Sequence, residues 1–162
     1  MAELRIGILT CSDSRSKGEA EDTAGRALIS LAQEAGWLVV AYHVSPDDRE
    51  SIATSLTEMC DVDNADIVFT CGGTGLGPRD VTPEATADVA ERPVPGIAEY
   101  LRAQSLRITP RAMLSRGSAA QRGDTVIINL PGSEKAARES FGFVASQLEH
   151  AVEMVHGGGH GK

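Results

Sequence analysis

The sequence predicts a three-layer α/β/α sandwich on a mostly parallel sheet, and three observations carry that prediction. Short apolar runs at 5–10, 37–44, 66–71 and 124–130 have the length and β-branched content of buried strands. Longer segments with apolar residues at helical spacing lie between them. Polar or glycine-containing loops lead from strand to helix, the alternation that accompanies parallel pairing and a sheet covered on both faces.

In chain order, the strand at 5–10 is followed by a polar loop over 11–21. Asp22 then caps a helix that carries Ala24, Leu28, Leu31, Ala32 and Ala35 on one side and stops at Gly36. The strand at 37–44 leads to Pro46-Asp47-Asp48, which opens a helix with Ile52, Leu56 and Met59 on one face. The strand at 66–71 runs directly into a glycine-rich loop. Thr82 as N-cap and Pro83 at the first helical position start the next helix. Pro93 and Pro95 break it, a further turn or two spans 96–102, and 111–115 forms a short strand. After the strand at 124–130, Ser133 caps a long helix towards Met154. Residues 1–155 thus form one domain, and the Gly/His tail 156–162 is expected to be disordered.

With 162 residues, 41% hydrophobic and 23% charged, the chain suits a single domain able to bury a core. No apolar run approaches the ~20 residues of a membrane span, and no secretory signal is visible, so a cytoplasmic protein without membrane contact is expected. Cys11, Cys60 and Cys71 lack paired spacing and read as reduced thiols rather than a disulfide framework or zinc site. A net charge of −8 without a Lys/Arg cluster argues against nucleic acid as a partner. To bind a small polyanion, such a chain must use backbone N–H groups, single Arg or Lys side chains, or a metal ion.

Ligands of parallel sheets bind beyond the C-terminal ends of the strands. Four polar segments should gather there: 11–22, 46–47, 70–82 and 129–133. The sequence TCGGTGLGPRD at 70–80 leaves a strand and enters a helix. Gly72 and Gly77 have P-loop spacing, but Pro78-Arg79 stands where Lys-Ser/Thr is required, and Pro78 also replaces the third glycine of the dinucleotide fingerprint. A P-loop NTPase and a Rossmann dehydrogenase are therefore disfavoured. What remains is either a nest of N–H groups for an anion or a turn without a ligand. Asp80 and Asp47 suit Mg²⁺, a hard ion that prefers oxygen ligands, or else they cap helices. Ser12, Asp13, Ser14, Arg15 and Asp22 either contact a ligand or satisfy loop backbone. The segment 129–133 ends at a helix N-terminus, a second anion position, and Arg116 is placed to pair with a phosphate. His43 is read as structural, His156 and His160 as tail residues, and there is no order of Ser, His and Asp that points to a triad.

The segment TCGGTGLGPRDVTPEAT at 70–86 resembles the signature of the molybdopterin-binding MoaB/Mog family. IGILTCSD at 6–13, SPD at 45–47, VPG at 94–96, LSR at 114–116 and NLPGS at 129–133 extend the match in order along nearly the whole chain. The resemblance implies a homotrimer and a reaction: ATP plus molybdopterin gives adenylyl-molybdopterin and pyrophosphate, with Mg²⁺. The product is then used by a molybdate-inserting enzyme of the same pathway. By the family pattern, Asp47 and Asp80 are the catalytic, metal-handling pair. Gly72, Gly73, Thr74 and Gly75 contact phosphate. Ser12, Asp13, Asp22, Arg79, Ser115, Arg116, Pro131, Gly132 and Ser133 line the substrate pocket. A non-catalytic molybdopterin carrier is the alternative within the family, and a nucleotide-processing enzyme of the competence-damage-associated type is a third.

Overall fold

The computed structural model describes residues 3–158. In chain order it contains β1 (Arg5–Cys11), α1 (Asp13–Ser16), α2 (Thr23–Glu34), β2 (Leu38–Ser45), α3 (Arg49–Asp61), β3 (Ile67–Cys71) and α4 (Thr82–Val89). There follow β4 (Arg92–Pro93), α5 (Pro95–Leu106), a 3-10 turn (Pro110–Leu114), β5 (Ala119–Arg122), β6 (Thr125–Leu130) and α6 (Glu134–Val155). The six strands form one sheet in the order β2-β1-β3-β6-β5-β4. β1 pairs in parallel with β2 and β3, and β3 with β6. β5 and β4 return antiparallel, because only Gly123 and Asp124 join β5 to β6, and a two-residue link makes a hairpin.

Alternation along the central strands divides the core. Ile6, Ile8, Phe69 and Ile128 pack under α2, α5 and α6, with Leu28, Leu101 and Phe141. Leu9, Val68 and Ile127 face α3 and α4, with Ile52, Leu56 and Ala85. The expected three-layer sandwich is therefore the observed one. Since β2, β1, β3 and β6 are mutually parallel, their C-terminal ends share one rim, and all four polar segments named above leave from it.

Several local expectations are corrected. Residues 111–115 are not a strand: Pro110 fixes the first turn, the Thr109 hydroxyl accepts the Arg111 N–H, and a 3-10 turn results. The two strands not expected are β5, whose sequence AAQR carries little β signal, and the two-residue β4, which pairs with it. The turn expected at 96–102 extends to a 12-residue helix, α5, with Pro95 at its start. Thr82 is the first residue of α4 and not its cap, because its hydroxyl is donated to the Gly72 carbonyl. His43 is exposed on the edge strand β2. Of the tail, His156 caps α6, and Gly157 and Gly158 return hydrogen bonds to it; 159–162 lie outside the described residues. The three cysteines are free and buried.

Candidate active site

Local capping decides which carboxylate reaches the rim at the end of β2. Asp48 caps α3 by accepting the Ser51 N–H at 2.9 Å, which frees Asp47 from that task. Asp47 instead exchanges hydrogen bonds with the loop after β1: its N–H donates to Asp13 Oδ1 at 2.9 Å, and the Asp13 N–H donates to Asp47 Oδ2 at 3.0 Å. Arg79 then grips Asp13 with two bonds, at 3.0 and 2.9 Å. That guanidinium, with the Asp47 N–H behind it, holds the Asp13 carboxyl below the usual carboxylate range. Asp47 is perturbed the other way. Its Oδ1 is buried and has no hydrogen-bond partner among the described residues. Burial first, then the charges of Asp13 and Asp80, push its carboxyl above the ordinary value. Asp80 closes the exit of the glycine loop, accepting the Gly77 N–H at 2.9 Å while its own N–H donates to the Gly77 carbonyl.

The loop between these carboxylates is held from outside. Gly72 has φ +100°, and a side chain there would run into the Cys11 carbonyl oxygen. Thr82 binds the loop twice, hydroxyl to Gly72 O at 2.9 Å and N–H to Gly73 O at 3.2 Å. Arg116 binds it three times: N–H to Thr74 O at 2.8 Å, Nε to Gly75 O at 2.8 Å and Nη2 to Asp80 O at 2.7 Å. Glu84 fixes the same guanidinium at 2.6 and 3.1 Å. These contacts occupy carbonyls. The backbone N–H groups of Gly73, Thr74, Gly75 and Leu76 find no protein acceptor among the described residues. Held carbonyls beside unclaimed N–H groups are what an anion nest requires.

On the β6 side of the nest lies a cavity of about 310 Å³. Thr74, Gly75, Ser115, Asn129 and Pro131 form its wall towards the loop, and α5, the 3-10 turn and α6 supply a largely apolar remainder. The rim therefore holds two compartments that share the loop: an acidic one with Asp47 and Asp80, and an apolar one suited to a ring.

A family model described as "Probable molybdopterin binding domain" matches residues 7–150. The chain belongs to this molybdopterin-binding family, the MoaB/Mog family. It is 41% identical over 159 residues to the molybdopterin adenylyltransferase of Helicobacter pylori strain J99, covering 97% of this chain and 90% of that one. The Escherichia coli K12 protein of the same name is 37% identical over 161 residues, covering 97% and 80%. Among solved structures, the molybdopterin biosynthesis enzyme MoaB of Thermus thermophilus superposes with a TM-score of 0.89 at 47% identity, over 95% of this chain and 97% of that one.

In this MoaB/Mog chain the residues singled out from sequence fall into two groups. Asp13, Asp47, Gly72, Gly73, Thr74, Gly75, Arg79 and Asp80 meet at the loop, and Ser115 and Pro131 reach the cavity. The others serve the frame. Ser12 caps α1 and Ser133 caps α6, and Gly132 presses against Gly72. Asp22 is spent inwardly: it caps α2 at Gly25 and accepts the hydroxyls of Thr10 and Tyr42. Arg116, expected at a phosphate, is a brace for the loop. Asn129, placed at the rim from sequence only as the start of the 129–133 segment and given no role of its own, has a buried amide that donates to Thr70 and Thr86 and accepts from Ser118 at the end of β6. A polar residue closing an otherwise apolar strand was the available signal. Arg15, read from sequence as either a ligand contact or a partner for loop backbone, bonds the Gly132 carbonyl at 3.0 Å; Glu84, which no local pattern marks, was missed.

Proposed function

We propose that the chain is a molybdopterin adenylyltransferase that moves AMP from ATP to molybdopterin with Mg²⁺, giving adenylyl-molybdopterin and pyrophosphate. The observation that carries this is the acceptor-free N–H nest at 73–76 flanked by Asp47 and Asp80. Family membership and the names of the H. pylori and E. coli relatives support the same activity.

The chemistry joins two anions. An oxygen of the molybdopterin phosphate bonds to the α-phosphorus of ATP, the bond from that phosphorus to the bridging oxygen breaks, and pyrophosphate leaves with the electron pair. Repulsion between the reactants must be offset. The nest N–H groups hold one phosphate in place at no cost in loop ordering. Arg79 and Arg116 are tied to Asp13 and Glu84, so they shape the site more than they add charge to it. The residues fit a hard cation: Asp47 offers a buried oxygen without a partner, and the charge of Asp80 opposes that of Asp47. Mg²⁺ is typically held by one or two carboxylates and completed by phosphate oxygens and water, and here Asp47 and Asp80 would be those carboxylates. When bound, Mg²⁺ would supply the positive charge that eases pyrophosphate departure. The apolar cavity takes the pterin ring, the ligand named in the family's description. A homotrimer, with product passed to a molybdate-inserting enzyme, belongs to the same proposal; the exposed Leu106, Ile108 and Met113 beside the cavity offer a contact surface.

A coupled pyrophosphate assay tests the reaction. Release is expected only when ATP, Mg²⁺ and molybdopterin are present together. Absence of release from that mixture would overturn the enzyme and leave the non-catalytic molybdopterin carrier.

A further inference from the structure

We propose that Glu139 and Arg102 read the pyrimidinone edge of the pterin ring in the cavity beside the glycine loop, and that this pair excludes adenine from it. The inference rests on molybdopterin being the substrate, as proposed above.

Both side chains line the same cavity, Arg102 from α5 and Glu139 from α6, and both are half-buried. Around them the walls are mostly carbon: Ala98, Leu101, Ala112, Leu114 and Ala136. Among the described residues neither forms an ion pair, with the other or with any other side chain. The other half-buried arginines of the described chain are each paired with a carboxylate, Arg15 with Asp22, Arg116 with Glu84 and Arg122 with Asp61. Charged groups withdrawn from water are ordinarily paired, so an unpaired cation and anion facing one small apolar space point to a ligand that satisfies both. Arg102 is also fixed in advance. Its Nη1 donates to Ser115 O at 3.3 Å and Gly117 O at 2.7 Å, and its other N–H groups have no partner among the described residues.

The two groups differ in what they can accept and donate. A carboxylate only accepts, and a guanidinium only donates. The pyrimidinone edge of a pterin presents an amino group at C2 and N3–H, two adjacent donors, followed by the O4 acceptor. Glu139 matches the two donors with both oxygens, and Arg102 matches O4. Adenine offers its amino group beside N1, a lone pair, which would face a Glu139 oxygen. The arrangement therefore selects the pterin for the cavity and leaves ATP to the acidic compartment.

The test is a fluorescence titration of the full chain with two ring probes, pterin and lumazine, which carries an oxo group in place of the C2 amino group. The wild type is expected to bind pterin about 10- to 100-fold more tightly than lumazine, the usual range for one charge-assisted hydrogen bond. Glu139→Gln presents one donor and one acceptor, so it should reverse the order in favour of lumazine. Arg102→Met should weaken both probes alike, because O4 is common to them, and leave their ratio unchanged. A reversal of preference is not what a merely structural loss would give, and a thermal melt of each variant checks folding. If the wild type binds neither ring, the pterin assignment of the cavity is wrong. If it prefers pterin and Glu139→Gln keeps that preference, the assignment stands and the role of Glu139 is refuted. Neither outcome depends on ATP, so failure here is separable from failure of the pyrophosphate assay.

Discussion

Replacing Asp47 by Asn should move stability and activity in opposite directions. Asp47 keeps one oxygen on the Asp13 N–H and leaves the other buried without a partner among the described residues, so burial, and then the charges of Asp13 and Asp80, raise its carboxyl. An asparagine oxygen can still accept from Asp13, and the group left over is then neutral. Removing such a charge should stabilise the ligand-free protein by about 1 kcal/mol, after discounting for the solvent that reaches the rest of the side chain. For a chain of this size that is a rise in Tm of about 2–4 °C. The pH dependence fixes the cause. The folded-state carboxyl lies above its ordinary value of 3.8, so the wild-type penalty is present where Asp47 is ionised and vanishes where it is protonated. The Tm difference between variant and wild type should be positive at about pH 7–8 and shrink towards zero as pH falls to the ordinary carboxylate range. Pyrophosphate release should meanwhile fall by about 100- to 1,000-fold, the loss typical of one electrostatic group in a polar transition state. Calorimetric melts across pH, with the coupled assay on the same preparations, read both quantities. A variant less stable than wild type at neutral pH, or a Tm difference that does not change with pH, would refute the account of a strained, uncompensated carboxylate.

Two further substitutions probe the frame. Gly72→Ala combines a left-handed backbone with a collision at the Cys11 carbonyl, and should destabilise by about 3 kcal/mol, or roughly 6–12 °C in Tm; a melt within about 2 °C of wild type would show that the loop relocates freely. Arg116→Lys cannot reproduce the fork that joins Gly75 O, Asp80 O and Glu84. Its effect on stability should be small because the pair is one-third exposed, while turnover drops about 10- to 100-fold through a displaced Asp80. Ring binding in the cavity that survives unchanged alongside wild-type turnover would remove Arg116 from the positioning role.

The parallel core was legible because its signals are periodic and local. Runs such as 66–71 and 124–130 are buried strands whatever surrounds them, and Asp22, Gly36 and Ser133 mark helix ends by their own side chains or backbone. The convergence of four loops followed from parallel pairing alone. What escaped was set by distant partners. Thr82 looks like an N-cap in sequence, but its hydroxyl is claimed by Gly72, ten residues back. Arg116 looks like a phosphate ligand, but Glu84 and two loop carbonyls take its donors. β5 is stabilised by pairing with β6 more than by any propensity of Ala119 and Ala120. Asp47 could have been either a cap or a free carboxylate, and only the bond from Ser51 to Asp48 decides between them.

The bracing of the glycine loop through its carbonyls has an entropic side. Thr82 and Arg116 immobilise the chain from 72 to 80 during folding, using oxygens and leaving hydrogens. The conformational freedom that a flexible phosphate loop would surrender on meeting its ligand has therefore already been surrendered, with the hydrophobic core setting the balance. Selectivity in such a receptor rests on the fit of preset dipoles, and a phosphate displaced by an ångström meets N–H groups that cannot follow it.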